Sequence, residues 1–180
     1  MKKIFCFVLL LGNLSLSAQT KEKKNESPGS DHAISLGLHM PLGSFSSTHT
    51  VGFGIGYSSN THVFGLVKNK HFAFTYNGGA AYYPGKKETV SSYPYKYPGY
   101  LFIHAFAGIL YSPARKIDFR LTTGPALGNY NSSTKFNIGA NLEGNYHLNK
   151  GFVLSPQLLL MKESKSDPLW AGSLKLGYLF

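Results

Sequence analysis

The chain has 180 residues, 43% of them hydrophobic, and a formal net charge of +10 at pH 7. That length suits a single domain. Its one cysteine, Cys6, lies near the start without a lipoprotein cleavage box before it, so the rest of the chain has no disulfide, thiolate or Cys-ligated zinc chemistry.

The opening MKKIFCFVLLLGNLSLSA places Lys2 and Lys3 before an apolar run from Ile4 to Leu11 and ends on small residues. This layout predicts a cleaved signal peptide over residues 1–18, cut after Ala18 or one residue earlier after Ser17. Loss of Lys2 and Lys3 leaves a charge of +8. Basic charge on an exported protein points away from nucleic acid and toward anionic lipid or lipopolysaccharide. Residues 19–31, QTKEKKNESPGSD, carry no apolar periodicity and predict a flexible periplasmic tail. No later segment is apolar for the ~18 residues that a helical span requires.

From residue 32 onward the dominant period is two, the mark of strands whose faces meet different surroundings. Ile34, Leu36, Leu38 and Met40 oppose Ser35, Gly37 and His39. Val51, Phe53, Ile55 and Tyr57 oppose Gly52, Gly54 and Gly56. Ile117, Phe119 and Leu121 oppose Asp118, Arg120 and Thr122, and Phe136 to Leu148 repeats the pattern against Asn137, Gly139, Asn141, Glu143, Asn145 and His147. Turn-forming stretches between these runs predict eight strands at about 32–40, 50–67, 71–83, 99–111, 117–127, 135–148, 152–161 and 169–180. SSNTH at 58–62 reads as a bulge in the second strand or as a loop. Pro156 cannot donate to a ladder and predicts a bulge in the seventh. Short turns (KNK, SPARK, NKG) alternate with longer connections, the longest being PGKKETVSSYPYKYP. That asymmetry is characteristic of membrane barrels, with both chain ends on the short-turn side.

Alternation also occurs in soluble barrels with apolar interiors. Here the polar parity is rich in Gly, Ser, Asn and opposite charges, which fill a narrow lumen. Tyr57, Tyr82, Tyr83, Tyr100, Tyr111, Trp170, Tyr178 and Phe180 gather near strand ends, as headgroup girdles do. A sheet in hydrocarbon has no water to satisfy its edges and must close on itself. The fold class is therefore all-β: an eight-stranded antiparallel up-and-down transmembrane β-barrel over residues 32–180.

The signal peptide, GLHMPLGSFSSTHTVGFGIGY, the alternating strands and the terminal GYLF together resemble the small porin-like outer-membrane β-barrel domain proteins of Gram-negative bacteria. The resemblance implies an outer-membrane location and insertion by the outer-membrane assembly machinery. It also implies that Leu176, Tyr178 and Phe180 form the terminal recognition signal that this machinery reads. It implies no shared catalytic set.

Asp118, Arg120, Glu143 and Lys175 all fall on the inward parity and predict a paired lumen network, since charges inside a narrow barrel must find partners. Arg120 is expected on Glu143 or Asp118, and Lys175 near a carboxylate. An interior just wide enough for side chains argues against a wide pore. His32, His39, His49, His62, His71, His104 and His147 show no metal-ligand spacing, and no cofactor is expected. In the longest loop, Lys86, Lys87 and Lys96 suit lipopolysaccharide phosphates, while Tyr93, Tyr95 and Tyr97 suit sugars or an unknown surface ligand. The sequence thus describes an outer-membrane barrel with a structural or surface-interaction role and not an enzyme. The alternatives are a lipid-modifying barrel enzyme using residues such as His104 or Ser173, and a soluble periplasmic ligand-binding barrel.

Overall fold

The computed structural model describes residues 32–61, 71–90, 92–148, 151–163 and 168–180. The expected signal peptide, the tail, residue 62 and the KNK turn lie outside the described residues. Eight antiparallel strands close a barrel: β1 His32–Leu42, β2 Gly52–Thr61, β3 Phe72–Tyr83, β6 Tyr100–Ala114, β7 Ile117–Tyr130, β8 Ser133–His147, β9 Phe152–Lys162 and β10 Leu169–Leu179. Neighbours in sequence are neighbours in the wall, and β10 closes on β1 with Ile34 opposite Tyr178 and Leu38 opposite Leu174. The Phe180 amide adds a final bond to the His32 carbonyl at 2.9 Å. Two short strands, β4 Lys87–Val90 and β5 Tyr93–Lys96, form a separate hairpin within the longest loop. A single helical turn, α1 Phe45–Thr48, follows β1.

The period-two pattern maps onto the wall with apolar residues outward. Leu36 and Leu38 are each 65% exposed and Phe136 is 67% exposed, whereas Arg120, Glu143 and Asn141 are buried. This is the reverse of a soluble barrel, whose charged side chains face water. Residues 58–61 continue β2 in unbroken register with β3, from Ser58 opposite Asn77 to Thr61 opposite Phe74. The described part of SSNTH is therefore neither bulge nor loop.

Three expectations are corrected. Pro156 causes no bulge: the β8–β9 register is the same on either side, and only the pairings of residues 144 and 145 lapse. Pro156 keeps its place opposite Leu174 on β10, because a strand residue directs its amide to one neighbour only. Pro125 acts the same way in β7, losing β6 while remaining opposite Ile138 on β8. The register shift lies instead between Tyr111 and Ala114, around Pro113. The expected loop at residues 128–134 is replaced by a turn at Asn131 and Ser132, with φ of 49° and 64°. Two successive positive φ values give the twist that joins hairpin strands directly.

The third correction concerns the lumen, which has two storeys. Toward the chain termini it is polar. Toward the loops it holds Tyr83, Tyr100, Phe102, Phe106, Leu159 and Met161, capped by Phe45 from α1. Tyr83 and Tyr100 are therefore not girdle residues but are almost completely buried, while Tyr82 faces outward. Consecutive strand residues take opposite faces, so Tyr82 and Tyr83 cannot both reach lipid. Gly54 leaves space for the His39 ring: a Cβ built there would stand 2.6 Å from His39 Nε2 and 2.9 Å from the Ala80 carbonyl oxygen.

Candidate functional site

The lumen charges come from three strands. Arg120 on β7 faces Glu143 on β8 as a cross-strand pair. Its Nη1 donates to Glu143 Oε1 at 2.6 Å, and its Nη2 donates to Asn60 Oδ1 at 3.2 Å. Thr75 Oγ1 also donates to Asn60 Oδ1, at 2.9 Å. Lys175 reaches from β10 past β9 to the other Glu143 oxygen. One buried carboxylate is thus shared by two cations. Asp118 stands apart from this group and pairs with His147. Ser155 Oγ donates to Asn145 Oδ1 at 2.7 Å, and Ser173 Oγ donates to Gln157 Oε1 at 2.8 Å.

Between these groups remains a cavity of about 40 Å³, bordered by His39, His104, Arg120, Glu143 and Lys175. That holds a few waters at most. His104 stacks on Phe102 and packs at a tilt against Phe106, with ring centroids at 5.2 and 4.7 Å. Ser112 and His147 both bond Asp118, an order in which the carboxylate, and not the imidazole that a hydrolytic triad places between the other two, is the central group. His104 and Ser173 both lie in the lumen and away from the lipid face.

The loop end is built differently. Gly43, at a φ of 58°, starts α1, and the Phe45 ring closes the barrel mouth against Tyr83 and Tyr100, with centroids at 4.9 and 5.5 Å. Lys86 ties this segment to the loop after β3, its amide donating to the Thr48 carbonyl at 2.8 Å and its Nζ to the Ser46 carbonyl at 2.5 Å. Beyond it, the β4–β5 hairpin sorts the predicted contact residues onto two faces. Lys87 lies directly opposite Lys96 on one face, and Glu88 lies opposite Tyr95 on the other. Tyr93 shares the Tyr95 face, and Tyr97 packs against Tyr95 at 5.0 Å and donates to Glu88 Oε2 at 3.3 Å. Lysines and tyrosines thus form two separate surfaces.

Beside α1, the mouth also opens into a bowl of about 420 Å³ bordered by Phe45, His49, Tyr100, Tyr130, Lys135 and Glu163. Tyr100 Oη donates to Glu163 Oε1 at 2.9 Å, and Lys135 Nζ lies 3.4 Å from Glu163 Oε2. His49 shares a hydrogen bond between Nδ1 and Thr48 Oγ1 at 2.8 Å. Burial holds the His49 imidazole below its ordinary 6.5, and the Pro98 carbonyl nearby acts in the opposite direction. Sequence reasoning missed this bowl. Tyr100 reads as an interface aromatic, and Glu163 lies near the start of a polar stretch, residues 162–168, that resembles any turn.

The fold is that of the small outer-membrane β-barrels: eight strands, a closed wall, an apolar exterior and a filled interior. No protein-family model matches the chain, and no curated protein matches it in sequence. Among solved structures, the outer membrane protein Ail of Yersinia pestis, in a phospholipid bilayer nanodisc, is similar at a TM-score of 0.58. The two share 12% identity over 84% of this chain and 100% of that one. The crystal structure of Ail in complex with the heparin analogue sucrose octasulfate gives a TM-score of 0.53 and 13% identity, over 84% of this chain and 99% of that one. The outer membrane enzyme PagL is similar at 0.54 and 10% identity, over 82% and 98%. At such identities the likeness is one of fold.

Proposed function

We propose that the protein is an integral outer-membrane barrel with a structural and surface-interaction role, whose lumen is a packed interior and whose recognition chemistry sits at the loop end. The observation that carries this reading is the inverted wall, with Leu36, Leu38, Phe53, Leu121, Phe136 and Ile138 outward and Arg120, Glu143 and Asn141 inward. Water would penalise that arrangement at every strand, whereas hydrocarbon rewards it. Enzymatic chemistry has less support, since Ser173 and His104 are engaged separately inside the lumen.

At the loop end, the Lys87–Lys96 face is the anion-binding candidate. Like charges directly opposite on a hairpin repel, and a phosphate or sulfate between them relieves that repulsion. Ail has been crystallised with a polysulfated sugar, which makes anionic lipopolysaccharide or a sulfated glycan the partner class to test. In a carbonate wash the protein remains with the membrane fraction; release into the wash would sink the reading. In lipopolysaccharide-containing vesicles at low salt, Lys87→Gln with Lys96→Gln weakens capture of a soluble polysulfated sugar about thirtyfold, from ~1 kcal/mol for each lysine near a charged surface. Unchanged capture would remove the hairpin from the binding role.

A further inference from the structure

The bowl beside α1 is separate from the lysine face, and its chemistry differs. Phe45, His49 and Tyr100 pack as its buried back wall, with His49 centred 5.9 Å from Tyr130 and 6.1 Å from Tyr100, and Tyr130 is the half-buried ring among them. Glu163 brings a carboxylate that is mostly buried, and Lys135 brings an amine that is half exposed. Asn131 and Ser133 stand at the rim. The two charges that its described residues bring are opposite and paired with each other. It offers the Tyr130 ring beside hydrogen-bonding groups of both kinds.

A hydroxylated ring matches that combination. The C–H face of a pyranose lies on an aromatic side chain, while adjacent hydroxyls donate to a carboxylate and accept from an ammonium. A volume of about 420 Å³ is within the range of small-ligand sites. The carboxylate is held in place before any ligand arrives, because Tyr100 donates to one oxygen and Lys135 approaches the other.

We propose that the bowl formed by Phe45, His49, Tyr100, Tyr130, Lys135 and Glu163 is a binding site for an uncharged sugar ring, distinct from the lysine face. The proposal rests on the reading that the loop end faces the cell exterior only for its biological setting; binding itself is measured on the isolated barrel. The full chain in detergent is titrated with methyl glycosides of neutral hexoses and of N-acetylhexosamines, followed by saturation-transfer NMR. A quaternary ammonium compound is the control for a cation cage. At least one glycoside binds in the millimolar range, and binding persists in 0.5 M salt, which screens the lysine face.

Tyr130→Ala and Glu163→Gln each weaken binding fivefold or more while the folded band on unheated gels is retained. Lipid-free oligosaccharide released from the native envelope then competes against the bound glycoside. Displacement assigns the ring to the same membrane, and no displacement assigns it to another surface. Absence of binding by every glycoside overturns the proposal, as does binding that both variants leave intact or a preference for the ammonium compound. None of these results bears on whether the barrel is embedded in a membrane, so failure of the sugar site leaves the carbonate test standing.

Discussion

Glu143 is the residue on which the lower lumen depends. It is 2% exposed and is the shared partner of Arg120 and Lys175. Removing it strands two cations in a desolvated interior, a loss of about 3–5 kcal/mol. Glu143→Leu therefore lowers the unfolding free energy in vesicles by roughly that amount, and a triple replacement with Arg120→Leu and Lys175→Met recovers most of it. A triple variant no more stable than Glu143→Leu would mean that packing, not charge, sets the cost. His49 gives a second prediction at this scale. Its proton affinity is depressed in the folded barrel by burial. Below about pH 6.5 the unfolded chain takes up a proton that the folded one resists, so stability is fully present above this value and declines as the pH falls. Unfolding midpoints at pH 7.5 and pH 5 should diverge less in His49→Phe than in the unsubstituted protein. An equal divergence would exclude this histidine as a contributor.

At the scale of elements, strand alternation was legible because lipid and lumen impose opposite demands. It became ambiguous where both surroundings are apolar. In LFIHAFAGIL of β6, Leu101, Ile103 and Ile109 face outward while Phe102, Phe106 and Leu110 face inward. Nothing in such a run separates the two sets, and for this reason the aromatic upper storey was not anticipated. The glycines are sorted by face in a way that can be tested. Gly54 is inward and crowded by His39 and the Ala80 carbonyl, whereas Gly144 is outward, with its nearest neighbours at 3.8 Å or more. Gly54→Ala should cost about 1–3 kcal/mol by overpacking. Gly144→Ala should be neutral or slightly stabilising, since an interior strand glycine adds backbone entropy without packing. Equal effects in denaturant titrations would contradict this division of the wall.

At the scale of the whole molecule, closure places β10 between β9 and β1 and brings both described chain ends to the side opposite α1 and the β4–β5 hairpin. Phe180 stacks on His32 with centroids 6.0 Å apart and lies in the outward parity with Leu176 and Tyr178. Among the described residues its contribution to the finished barrel is one amide bond and one ring contact. Deleting it should therefore slow insertion in cells markedly while changing the denaturation midpoint of refolded protein only slightly. Normal insertion of the truncated chain would remove Phe180 from the assembly signal.

The amino-acid sequence by itself determined the barrel, its outward face and the set of charges that must meet inside. Period-two alternation, turn residues and the cost of a buried charge are local or pairwise rules, and they act on whichever chain carries them. The partner of each charge was decided by the stagger of closed strands, which set Lys175 within reach of Glu143 across β9 and gave Asp118 to His147. Tertiary structure alone also turned Tyr83 and Tyr100 inward beneath Phe45 and gathered Glu163, Lys135 and His49 from three separate segments into one bowl. Such a site has no sequence spacing to reveal it, because its members become neighbours only when the barrel closes and its loops fold over the mouth.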